Sequence, residues 1–147
     1  MLDLSSFKKF ESPDFIIESV KFKCKKLNSF DGADFLKIIF GKEVLSDALN
    51  AIGDHVDMTP ALIITLIAQV DIDFLKEKIF PVVFSNTICS YKTKLGVEIK
   101  PQPVEICKEE VGEMIGVFDV YEICFRFMLV NFFSSFASIK TRFSLKA

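Results

Sequence analysis

Seventeen phenylalanines fall in a chain of 147 residues, and they crowd toward its end. Phe118, Phe125, Phe127, Phe132, Phe133 and Phe136 share one stretch with Tyr121. A chain of this length forms one domain by default, large enough for a real core but not for two. It can bury only part of so much aromatic surface within itself. Contiguous apolar area left outside is commonly covered by another chain, often a helix laid into a groove. The excess points to partner binding or self-association, with an aromatic-rich core as the plain alternative.

Half the residues are apolar and 26% are charged, which excludes a disordered or collagen-like chain. Eighteen basic side chains against twenty acidic ones leave no electrostatic footprint for a nucleic-acid backbone. Cys24, Cys89, Cys107 and Cys124 form no CxxC or CxxxC pair, and the one histidine, His55, is far from each of them. No metal site is expected from such spacing. The opening MLDLSSFKKF lacks an apolar signal segment. Three of the cysteines lie among large apolar residues. All four read as reduced core thiols of a cytosolic protein, with a two-disulfide framework the lesser alternative.

Two segments resemble membrane spans in part. Ala61–Val70 is almost wholly apolar but spans about half of a hydrocarbon core. The stretch from Val117 to Ile139 is long enough, yet it carries Asp119, Glu122, Arg126 and Asn131, and charges near the middle of a spanning helix are expensive. Both read as buried or partner-binding helices, with no membrane contact.

Residues 1–14 end on Ser12-Pro13-Asp14 and read as a mobile arm or capping segment. From Val20, apolar Val20, Phe22 and Cys24 alternate with Lys21, Lys23 and Lys25, the pattern of a half-buried strand with a lysine-lined outer face. Asn28-Ser29 offers an N-cap for an amphipathic helix running to Ile52, with a break or bend at Gly41 and a stop at Gly53. Thr59-Pro60 starts a central helix apolar on nearly every side. A short helix over Asp73–Phe80 ends at Pro81, and Val82–Phe84 is ambiguous. Alternation at Leu95, Val97 and Ile99 predicts a strand. Pro101 and Pro103 interrupt, and Val104–Cys107 reads as a second short strand. Helical character returns from Lys108 and continues through Val117–Ile139. The whole predicts a mainly α-helical α+β single domain, residues 1–147, with a small antiparallel sheet.

Catalytic chemistry finds little footing. Asp54-His55-Val56-Asp57 sets an imidazole beside carboxylates, but between Gly53 and Pro60 it reads as a polar connector. Phosphate-binding glycine loops and a GxSxG elbow are absent. Glu109, Glu110 and Glu113 read as a solvated helix start. Neither catalytic residues nor cofactors are expected.

The order of features resembles the small tail assembly chaperones of long-tailed bacteriophages. The matching pieces are the KFKCKKL-like strand at Val20–Leu27, the helix FDGADFLKIIFGKEVLSDALNAI, an apolar middle helix, and the late segment FDVYEICFRFMLVNFFSSF. The resemblance implies a non-enzymatic role in the host cytoplasm. Such proteins bind the long, apolar, helical tape measure protein, keep it soluble and recruit tail tube subunits. On that basis the contacts come from Phe118, Tyr121, Phe125, Phe132, Phe133 and Phe136, with Asn131 setting register or capping a turn. The same residues serve equally as this chain's own core. The family is all-helical, whereas Leu95–Cys107 here reads as strands. A structural virion component of the baseplate or tail hub is the alternative role. A small enzyme with a dispersed site is the third, and it requires a deep polar pocket that includes His55 or a cysteine.

Overall fold

The computed structural model describes residues 12–54 and 59–135. The fold is α+β, a four-stranded antiparallel sheet with helices gathered around one hydrophobic cluster. Strands β1 (Asp14–Ile17), β2 (Val20–Cys24), β3 (Thr87–Lys92) and β4 (Glu98–Pro103) follow one another in the order β1-β2-β3-β4. The all-helical form that the resemblance carries with it is not this fold.

β2 has the alternation its sequence predicts, with Val20, Phe22 and Cys24 inward and lysines outward. Asp14, the last residue of the predicted arm, instead belongs to the sheet. The Pro13 carbonyl accepts the Cys24 N–H at 2.8 Å, and Asp14 pairs with Lys23; residues 1–11 lie outside the described set. β1 and β2 are joined by Glu18 and Ser19, both at positive φ (48° and 71°). That is the geometry of a two-residue hairpin turn whose twist matches the strands.

β3 alternates in the same way, with Thr87, Cys89 and Tyr91 buried and Ile88, Ser90 and Lys92 more open. Its hairpin to β4 turns through Lys94-Leu95-Gly96. Gly96 at φ 81° supplies the left-handed residue that a three-residue loop needs. The Leu95–Val97 part of the predicted strand is therefore an exposed turn. Pro101 and Pro103 do not interrupt β4; they are part of it. This is tolerated because β4 is an edge strand, where a missing N–H faces no neighbour.

Helix α1 (Ser29–Phe40) is capped as its sequence predicts: the Asn28 side chain accepts the N–H groups of Phe30 and Asp31 at 3.1 and 2.9 Å. It ends at Gly41, and α2 (Glu43–Asp54) begins after it, its last described residue one position past the predicted stop at Gly53. Thr59 Oγ1 caps α3 (Pro60–Ala68) by accepting the Leu62 N–H at 3.2 Å. α3 is not buried all round: Ile63 and Ile67 are interior, whereas Leu62 is exposed.

One helical run, α4, joins Ile72–Phe74, a π turn at Leu75–Ile79 and Phe80–Ser85. Pro81 sits inside this run instead of ending it. A helical proline cannot donate, and its ring presses on the carbonyl four residues back. The turn just before it is widened so that the Phe80 N–H reaches Leu75 O, five residues away.

Val104–Cys107 is helix, not strand. Val104, Cys107 and Val111 are spaced i, i+3, i+7, and they open α5 (Val104–Met114), which is kinked at Cys107 (φ −119°, ψ 20°). α6 (Val117–Met128) follows and continues as a π turn at Leu129–Phe133. The Gly116 N–H donates to Asp119 Oδ2 at 2.7 Å and starts α6. Arg126 Nε donates to Glu122 Oε2 at 2.8 Å, and the guanidinium lies 4.4 Å from the centre of the Phe15 ring, which brings α6 against β1. On the other side α6 packs along α3. Phe35 of α1 meets Phe127 (5.7 Å, edge-on) and Phe132 (6.0 Å, stacked).

Candidate functional site

The late aromatic segment divides sharply between inside and outside. Phe125 is fully buried and Phe132 is 5% exposed, so both are core residues of the folded chain and offer no open contact. The reason is spacing: Ile123, Phe125, Phe127, Met128, Leu129 and Phe132 present a face wide enough to meet α1, α3 and the sheet together. Tyr121 and Phe133 are half-buried against that core. Phe118 alone of the described candidates is open, at 62%, and its ring meets Tyr121 edge-on at 6.4 Å. Asn131 is structural. Its Oδ1 accepts the Leu27 N–H at 2.7 Å, and its Nδ2 donates to Phe127 O and Lys25 O at 3.0 and 3.3 Å. Phe136 and His55 lie outside the described residues.

A solvent-open apolar groove of about 380 Å³ runs where α4, α5 and α6 meet. Phe80, Pro81 and Phe84 of α4 form one wall, and the rings of Phe80 and Phe84 are 5.1 Å apart. Val104, Val111, Gly112 and Ile115 form the other, and Val120 and Ile123 of α6 close the floor. Lys76, Glu105 and Lys108 stand at its rim, with Lys108 Nζ 3.2 Å from Glu105 Oε1. A Cβ added at Gly112 would meet no atom within 4 Å, so the groove is open above it. Exposed Val117 and Phe118 begin the same helix that supplies the floor. Of these residues only Phe118 was among the sequence candidates. Two signals point to the rest: Phe80 and Phe84 at i, i+4, and Val104, Val111 and Ile115 at i, i+7, i+11. The second is legible only once Val104–Cys107 is taken as helical.

None of the four cysteines is in a disulfide. Cys24, Cys89 and Cys124 are buried, and burial raises each of them above the ordinary thiol value, Cys24 to about 11. Cys107 is half-buried at the α5 kink, with its sulfur 3.0 Å from that of Cys89. It lines an open cavity of about 460 Å³ together with Tyr91, Gln102, Ile106 and Glu110. The Tyr91 hydroxyl donates to Glu110 there, and burial is the main cause that raises its pKa.

On the outer face of the sheet, Lys21, Lys92 and Lys100 surround a depression of about 450 Å³ with Ser19, Ser90 and Glu98. Among the described residues, no group of three or more histidine, cysteine or acidic side chains is placed to hold a metal ion. Among them too, no helix is long and apolar enough to cross a membrane. Compared with known proteins, the chain matches no family model, no curated protein and no solved structure.

Proposed function

We propose that this protein is a non-enzymatic tail assembly chaperone, one that holds the apolar helical tape measure protein of a long-tailed phage and brings tail tube subunits to it. One observation carries the reading: the apolar groove between α4, α5 and α6, whose floor comes from the helix that opens with exposed Val117 and Phe118. A helix laid there would set apolar side chains at i, i+3 and i+4 against Phe80, Val111 and Ile115. Its flanking polar groups would meet Lys76, Glu105 and Lys108. Such a groove works by covering apolar stripes and asks for no reacting group. The contact set supported here is therefore Phe118 with the groove walls, in place of Phe125 and Phe132.

Co-expression with a tape measure protein tests it. The expected result is a soluble complex on size exclusion that is lost with Gly112→Arg, a change that fills the groove from a position with room for a side chain. A tape measure protein that stays insoluble, or a complex indifferent to Gly112→Arg, overturns the reading. Mass spectrometry of purified virions separates it from a baseplate or tail-hub subunit, since an assembly chaperone is missing from mature particles.

A further inference from the structure

β3 and α5 approach each other at two cysteines. Cys89 points inward from β3 and is 1% exposed. Cys107 sits where the α5 backbone leaves helical geometry, and the two sulfurs are 3.0 Å apart. Forming a bond of about 2.05 Å would draw them together by about one ångström. The two partners differ in access: Cys107 faces the open cavity beside Tyr91 and Glu110, whereas Cys89 is sealed behind it.

We infer that Cys89 and Cys107 are a redox-responsive pair that closes to an intramolecular disulfide by exchange with a small-molecule disulfide entering at Cys107. The Cys107 thiol gives its proton to solvent, and the thiolate attacks one sulfur of the small disulfide. A mixed disulfide forms on Cys107, and half of the reagent leaves as thiolate. Cys89 then attacks the Cys107 sulfur, breaking the mixed disulfide; its proton passes to the departing sulfur, so the second half leaves as a thiol, and the first thiolate takes a proton back from solvent. Two protein thiols are oxidised, and one small disulfide is reduced to two thiols. Burial and the neighbouring Cys107 both hold the Cys89 proton on. That suits Cys89 to the second, intramolecular step, where proximity compensates for a scarce thiolate.

The remaining cysteines make a built-in contrast. Cys24 and Cys124 also lie near each other, but both are buried, so neither offers an open sulfur where a reagent could enter, and Cys24 Sγ accepts the Thr87 hydroxyl at 3.8 Å. Selectivity for one pair thus rests on access, since Cys107 is the one cysteine that is not fully buried.

The test is incubation of the folded full chain with oxidised glutathione, followed by intact mass and non-reducing peptide mapping. The expected product has lost two hydrogens and contains one cross-link, Cys89 to Cys107, reversed by a dithiol. Cys89→Ala, which keeps an apolar filler in the core, should stop at a stable glutathione adduct on Cys107. Cys107→Ser should give neither adduct nor cross-link at Cys89. A persistent adduct on Cys107 in the unmutated chain overturns the inference. So does a cross-link through Cys24 or Cys124, or a folded chain that does not react.

Discussion

Asn131 and Leu27 are 104 positions apart in the chain, yet the Asn131 carboxamide oxygen accepts the Leu27 backbone N–H at 2.7 Å. The nitrogen of the same group holds Lys25 O and Phe127 O. One side chain thus ties the exit of β2 to the π turn that ends α6. Asn131→Ala leaves partly buried backbone groups without these partners and should cost about 1–3 kcal/mol. Urea denaturation followed by circular dichroism checks this; an unchanged midpoint would mean that water replaces the amide at no cost.

The hairpin joining β1 and β2 sets non-glycine residues at positive φ on both central positions, Glu18 and Ser19. Left-handed backbone of this kind costs roughly 1–2 kcal/mol per residue for an ordinary side chain. Replacing the pair by Asn-Gly, the dipeptide this turn prefers, should raise stability by about 1 kcal/mol. Thermal unfolding of the double variant beside the parent measures it.

Interior and surface phenylalanines of α6 and its continuation should separate cleanly by alanine substitution. Phe132→Ala removes a ring stacked on Phe35 and should cost about 3–5 kcal/mol. Phe118→Ala, at an open position, should change stability by less than about 0.5 kcal/mol. Equal losses at the two sites, measured by denaturant titration, would contradict the burial described above.

Alkali should destabilise this protein, with its buried thiols contributing to the loss. Burial raises Cys24 from an ordinary 9.0 to about 11 and shifts Cys89 and Cys124 in the same direction. Between those two pH values the unfolded chain has given up the Cys24 proton while the folded chain keeps it. Raising pH therefore favours unfolding. The stabilisation is complete below pH 9 and is lost as pH climbs through about 11. Denaturation midpoints across that window should fall, and Cys24→Ala should flatten part of the decline.

Much of the architecture was legible in local pattern. Asn28 and Thr59 announce their helices because capping is chemistry between near neighbours, and β2 shows its two faces because alternation is a local property. Elsewhere near neighbours mislead. Pro81 marks a helix end by any local rule, and only the widened turn before it lets the chain continue. Val104–Cys107 alternates like a strand over four residues, and its helical period appears only when Val111 is counted. Pro101 and Pro103 argue against a strand unless it is known to be the outermost one. For the candidate site, phenylalanine content drew attention to α6. The groove depends on how α4 and α5 lean toward it, a relation between distant segments that no short window contains.

The two prolines of β4 reach beyond pairing. They leave the outer margin of the sheet short of N–H groups, so another extended chain finds few donors to zip onto there. Growth of the sheet by adding strands is therefore discouraged on that flank.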